Sequence, residues 1–221
     1  MAEGRLKWKC IKYLISHDTQ RVIRRYILKH PIKYGTALVR SLLKQRAYVR
    51  DDDFFLYGIG SVQEFKALLD DPETLLLLGF SYCHKPHECP SGRFTTECIH
   101  DPTHPVCGQC FIGKTMHLSS VRQAIPLWIT TIHYIGQKVF ETIEAHPHKK
   151  ILFLITACEM TLEVFGDLGN MAGIRGIGVR LDGRICNTMK AFELSERGVK
   201  PGLTVVLDRT QQRILELLGN A

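Results

Sequence analysis

Residues 107–115, Cys-Gly-Gln-Cys-Phe-Ile-Gly-Lys-Thr, carry two chemistries at once. Cys107 and Cys110 form a C-x-x-C pair, a spacing that lets two thiolates reach one metal. Gly108-x-x-x-x-Gly113-Lys114-Thr115 fits the pattern of a phosphate-cradling P-loop. The surroundings favour the metal. Residues 83–117 hold five of the eight cysteines (Cys83, Cys89, Cys98, Cys107, Cys110) and five of the ten histidines (His84, His87, His100, His104, His117). They also hold four of the nine prolines, so the stretch reads as a long loop. Loops of that length usually carry function, and ligation would order this one because binding free energy offsets chain entropy. His104-x-x-Cys107-x-x-Cys110 places three donors at regular spacing. The P-loop reading is weaker: its pattern requires a buried strand just upstream, and residues 100–107 contain two prolines.

Something must position these donors, and the rest of the chain supplies candidates. Apolar runs predict strands over 74–80, 128–136, 151–157, 174–181 and 203–207. Helical spacing predicts helices over 137–146, 160–168, around 187–196 and over 209–218. Residues 114–125 could form a further helix. Alternation of strand and helix argues an α/β fold with a mostly parallel open sheet flanked by helices. Upstream, residues 1–70 read as three helices: 5–29, ended by Pro31; 36–47; and one capped by Ser61-x-x-Glu64. The expected organisation is a basic helical N-terminal extension over 1–70 and an α/β cysteine-rich metal-binding domain over 71–221.

In an open α/β sheet, ligands gather beyond the carboxyl ends of the strands. Cys83, Cys158 and Cys186 each follow a predicted strand, so all three are expected at one sheet edge beside the cysteine loop. Cys158 also sits where a helix should begin, which favours a thiolate. Cys10 stands alone and reads as filler, and His133, His146 and His148 read as structural.

The chain of 221 residues is 45% hydrophobic and 23% charged, an ordinary globular composition that excludes an intrinsically disordered chain. No apolar run reaches the roughly 18 residues of a membrane span, and the first ten residues lack a signal peptide's apolar stretch. The expected setting is the cytoplasm, where clustered cysteines more often bind metal than pair as disulfides. Charge is lopsided: residues 1–50 carry a net +11 and the whole chain +7. Such a segment is expected to be a solvated face, or to meet an anionic partner, either a lipid surface reached peripherally or nucleic acid.

The stretch from about residue 75 to 190 resembles a cysteine-rich prokaryotic family known only as domain of unknown function number 116. The residues that carry the resemblance are Cys83, Cys89-Pro90, Cys107-Gly108-x-Cys110-x-Ile112, Ala157-Cys158-Glu159, Leu181-Asp182-Gly183 and Cys186-Asn187-Thr188. His104 stands where that family carries a third cysteine, and Arg184 and Ile185 separate the glycine from Cys186. The resemblance implies an iron–sulfur cluster or another metal, with no assigned activity.

The expectation is therefore a metal-binding protein holding an iron–sulfur cluster on thiolates at the carboxyl edge of the sheet, with a redox role and a redox partner protein. Cys83, Cys89, Cys107 and Cys110 are the first ligands to consider, then Cys98 and His104. Cys158 and Cys186 would complete a second site or form an open thiol pair. The alternative is a structural zinc that folds the loop of an interaction module. Zinc would accept the histidines readily, whereas an iron cluster prefers thiolates. No residue pattern names a substrate.

Overall fold

The computed structural model describes residues 9, 12–19, 21–43, 48–118 and 124–219. Trp8 and Cys10 lie outside them, as do parts of the helices expected over 5–29 and 36–47. A six-stranded sheet forms the centre, with strands β1 (Val49–Asp51), β2 (Phe54–Tyr57), β3 (Thr74–Ser81), β4 (Ala124–Ile129), β5 (Lys150–Ala157) and β6 (Arg175–Arg180). Their order is β1-β2-β6-β5-β3-β4. The four strands β6, β5, β3 and β4 run parallel, while β1 and β2 form an antiparallel hairpin on the β6 edge.

Alternating side chains of the central strands feed two cores. One face places Phe54, Leu56, Leu76, Leu78, Leu154 and Ile177 against α2 (Val62–Leu69), α4 (Phe111–Leu118) and α8 (Asp208–Gly219). The other places Phe55, Tyr57, Leu77, Phe153 and Ile155 against α5 (Ile132–Ala145) and α6 (Glu159–Ala172). Burial on both faces explains why these strands are nearly continuous apolar runs.

Several expectations are corrected. Residues 49–57, which no expected helix covers, form the β1–β2 hairpin, so the segment before residue 70 is not helices alone and enters the main sheet. Asp53, almost fully buried, anchors it: the carboxylate accepts from Arg180 at 2.7 and 3.0 Å and from Thr210 at 2.8 Å. The helical segment before Pro31 ends at Ile27, as the proline suggested, and Pro31 opens helix α1 (Pro31–Leu43), because the first helical turn needs no N–H from it. The strand expected over 128–136 ends at Ile129; Thr131 then caps α5 by accepting from Tyr134 N, so residues 132–136 are helical. Pro126 lies inside β4, which pairs with β3 alone, and an edge strand tolerates a missing donor. The strand expected over 203–207 is only β8 (Thr204–Val205), paired with β7 (Asp182–Gly183) in a separate two-stranded sheet.

Candidate functional site

The cysteine segment leaves β3 through a 3-10 turn over Tyr82–His84 and runs irregularly to His104. It then turns helical, where a continuous loop was expected. Helix α3 (Pro105–Gln109) contains Cys107 and Gly108, with Cys110 at its carboxyl end, and α4 follows at once. Gly108 is thus a helical residue and not the turn between two ligands. Gly113 has a clearer role. A Cβ there would sit 2.1 Å from the Cys107 carbonyl oxygen, so only glycine lets α4 pack against α3. No strand runs directly into Gly108, which the irregular segment and the turn of α3 precede, and Thr115 is buried with its hydroxyl donated to Phe111 O at 2.8 Å. Neither a phosphate cradle nor a free metal-binding hydroxyl is present in that P-loop pattern.

The seven described cysteines divide into two groups. Cys89, Cys98, Cys107 and Cys110 line one small cavity with Lys85, Pro86 and His100. Cys83, Cys158 and Cys186 line another, with Thr131, Thr161 and Glu196. All seven thiols are free. Cys83 therefore falls with the second group, although the sequence puts it beside Cys89. Among the described residues, no three His, Cys, Asp or Glu side chains already stand at the spacing that holds a single metal ion.

Lys85 sits among the first group with only 1% of its surface exposed. Its ammonium donates to Glu97 O at 2.6 Å, Thr95 Oγ1 at 3.0 Å, Thr95 O at 3.1 Å and Gly92 O at 3.3 Å. No carboxylate lies within ion-pair distance of it among the described residues. Burial pushes its pKa down, and the nearby sulfurs of Cys89, Cys98 and Cys110, with the Glu97 carboxylate, pull it back up. Burial likewise raises the thiol pKa of Cys98 and Cys107. Arg93 ties this loop to the rest of the protein. Its guanidinium donates to the carbonyls of Lys85, Cys83, Lys200 and Gly202 at 2.7 to 3.1 Å.

The histidines of the segment are largely committed elsewhere. His104 accepts from Val106 N at the start of α3. His100 donates from Nδ1 to Cys98 O, and His117 donates from Nε2 to His100 O. His84 is buried against Thr156 Oγ1 at 2.8 Å, and burial drives its pKa down to about 3. Of the histidines, only His100 lines the four-cysteine cavity, so the donors gathered there are mostly sulfur.

The second group occupies the crevice that the topology creates. From β3 the chain crosses to β4 on one side, and later to β5 on the other. The carboxyl ends of β3 and β5 thus flank a switch point, where open α/β sheets bind ligands. Ser81 to Cys83 follow β3, and Ala157 and Cys158 end β5. Cys158 is the N-cap residue of α6 and its sulfur lies 3.2 Å from Thr161 Oγ1. Cys186 comes from the segment before α7 (Met189–Ser195), and Lys200 donates to its sulfur at 3.3 Å. The Cys158 thiol interacts with the Cys186 sulfur, which lowers the pKa of Cys186 and raises that of Cys158. Glu196 lines the same cavity and accepts from Ile132 N at 3.0 Å. Burial pushes its carboxyl pKa up to about 8.

Lys85, Arg93, Lys200 and Glu196 escape sequence reasoning, because nothing in their spacing marks them as buried. Comparison of the chain with protein-family models, with curated proteins and with solved structures finds no match.

Proposed function

We propose that this chain is a metal-centre protein in which Cys89, Cys98, Cys107 and Cys110 hold an iron–sulfur cluster that serves electron transfer with a redox partner protein. The observation that carries this reading is Lys85: a buried ammonium surrounded by thiols, with no carboxylate at ion-pair distance. A buried cation demands a counter-charge. Thiols that ionise on ligation supply it, and the ammonium in turn offsets the negative charge that four thiolates leave on a cluster. The donor set fits such a group, since it is mostly thiol while the neighbouring histidines are engaged elsewhere. When bound, a cluster supplies one-electron chemistry; the protein contributes its thiolates, the Lys85 charge and a half-buried pocket that sets solvent access.

The test is anaerobic purification followed by iron, acid-labile sulfide and zinc assays. A brown protein with iron and sulfide supports the reading, and loss of both in Cys107→Ser ties them to this pocket. A colourless protein with one zinc replaces the cluster by a structural zinc. Metal retained in Cys107→Ser refutes the assignment altogether.

A second observation supports a lipid surface as the anionic partner. Helix α1 exposes Ile32 (81%), Val39 (55%) and Leu43 (81%), spaced to share one face, and Arg24, Arg25, Lys33 and Arg40 are exposed nearby. Apolar residues beside basic ones suit an interfacial helix, and favour lipid over nucleic acid. No helix among the described residues is long and apolar enough to cross a membrane. Co-sedimentation with vesicles containing anionic phospholipid tests this contact: binding should fall with added salt and with Ile32→Asp.

A further inference from the structure

The switch-point crevice contains chemistry that the four-cysteine pocket does not use. Cys158 and Cys186, each almost fully buried, line one cavity there, and Cys83 lines it as well. Lys200, only 9% exposed, donates to Cys186 at 3.3 Å. No carboxylate lies within ion-pair distance of that ammonium among the described residues, and a Cys186 thiolate would give it a counter-charge at hydrogen-bond distance; the same sulfur also lies 3.6 Å from Ala191 O. The Cys186 sulfur and burial push the Cys158 thiol pKa up, and its sulfur lies 3.2 Å from Thr161 Oγ1. The result is a nucleophilic sulfur, a neighbouring thiol and a buried acid, Glu196, on one cavity.

Size decides what can enter. The cavity offers about 40 Å³ to a water-sized molecule, room for roughly three waters. A peptide or glutathione disulfide is far too large to reach these sulfurs without rearrangement. A two-oxygen oxidant fits.

We propose that Cys158 and Cys186 form a peroxide-oxidised dithiol site, closing to an intramolecular disulfide at the switch point of the sheet. In the first step the Cys186 thiolate attacks one oxygen of hydrogen peroxide. The S–O bond forms and the O–O bond breaks; the departing hydroxide takes the Glu196 proton and leaves as water. Cys186 is then a sulfenic acid. In the second step the Cys158 sulfur attacks the Cys186 sulfur. The S–S bond forms, the S–O bond breaks, and the released hydroxide leaves as water with the Cys158 proton. Two electrons pass from the sulfurs to peroxide, two waters result, and Glu196 regains its proton from solvent. Lys200 is left without its thiolate, so oxidation unbalances the charge in the segment that Arg93 joins to the four-cysteine loop.

The test treats the reduced full-length protein with one equivalent of hydrogen peroxide at pH 7, followed by alkylation and peptide mass mapping. The expected product is a Cys158–Cys186 cross-link, reversed by dithiothreitol. Cys158→Ser should stop at a Cys186 sulfenic acid that dimedone traps. Lys200→Gln should slow disulfide formation roughly tenfold, because less of Cys186 is thiolate. A Cys158–Cys186 cross-link that still forms in Cys107→Ser, whatever its rate, separates this site from the metal pocket, so either assignment can fail alone. The inference is overturned if peroxide modifies other cysteines and leaves Cys186 untouched. It is equally overturned if Cys158→Ser or Cys186→Ser strips the metal, which would make these sulfurs ligands.

Discussion

Replacing Lys85 by methionine separates two roles that its position combines. In the metal-free protein the ammonium holds the loop through the carbonyls of Gly92, Thr95 and Glu97 and the Thr95 hydroxyl. Bonds from a charged donor are worth about 1.5–3 kcal/mol each. An ammonium has three protons, so the gross gain is about 5–9 kcal/mol, against several kcal/mol lost in taking the ion from water. Methionine fills the space but leaves those acceptors to water, which reaches Gly92 and Glu97 readily because both are exposed. The net loss in the metal-free protein should be about 2 kcal/mol. Metal loading adds a second effect. A unit of thiolate charge ~6 Å away at an effective dielectric of ~20 attracts the ammonium by about 3 kcal/mol. Lys85→Met should therefore weaken metal retention about 100-fold, since each 1.36 kcal/mol is a factor of ten. The assay is urea unfolding of anaerobically loaded and chelator-stripped protein, with iron retention measured against a competing chelator. Equal destabilisation of both forms, with metal retention unchanged, would show Lys85 to be a loop staple only and would refute the counter-charge argument.

Other perturbations probe separate parts of the same reasoning. Gly113→Ala forces a Cβ against the Cys107 carbonyl and should displace α4 from α3; lower thermal stability and lost metal are expected together, measured by circular dichroism and metal assay. Glu196 has a folded-state pKa near 8, above the roughly 4.3 of an unfolded glutamate. Its contribution to stability is present below about pH 4 and is lost as pH rises through 8. Glu196→Gln should flatten the fall in urea midpoint between pH 5 and 8, and an unchanged slope would remove Glu196 as its source. Asp53→Ala leaves Arg180 without its buried partner and should cost about 3–5 kcal/mol in urea unfolding, with the metal pocket unaffected. Lys114 is exposed, so Lys114→Ala should leave metal content unchanged, and any loss of ATP binding in that variant would revive the P-loop.

The parallel part of the fold was readable because its physics is local. Thr74–Ser81 and Lys150–Ala157 lie in the middle of a sheet covered on both sides, so almost every residue must be apolar. The β1–β2 hairpin was not readable. Asp51, Asp52 and Asp53 look like a solvated loop, and only the distant Arg180 and Thr210 make a buried Asp53 acceptable. The carboxyl edge of the sheet was correctly anticipated as the meeting place of Cys83, Cys158 and Cys186. Their separation from the four loop cysteines was not. It depends on which way a three-residue turn after β3 faces its side chains, and nothing in Ser81-Tyr82-Cys83-His84 encodes that by itself.

Two buried lysines give the cysteine chemistry its order. Lys85 lies among Cys89, Cys98 and Cys110; Lys200 lies against Cys186. Each is an ammonium withdrawn from water with no carboxylate at ion-pair distance among the described residues, and each costs several kcal/mol unless a negative sulfur answers it. In the first pocket four thiols share one cavity, and on the proposed reading ligation would make them negative together. In the second, a single Cys186 thiolate would suffice, on the cavity at the switch point that Cys158 and Glu196 also line. Arg93 spans the two through the carbonyls of Lys85 and Lys200. A change of charge in one pocket therefore acts on the backbone that positions the other. Metal loading should alter the rate at which the Cys158–Cys186 disulfide forms, and Arg93→Ala should abolish that dependence. The comparison needs only the alkylation assay on loaded and stripped protein, and equal rates in both forms of the wild type would show the pockets to be independent.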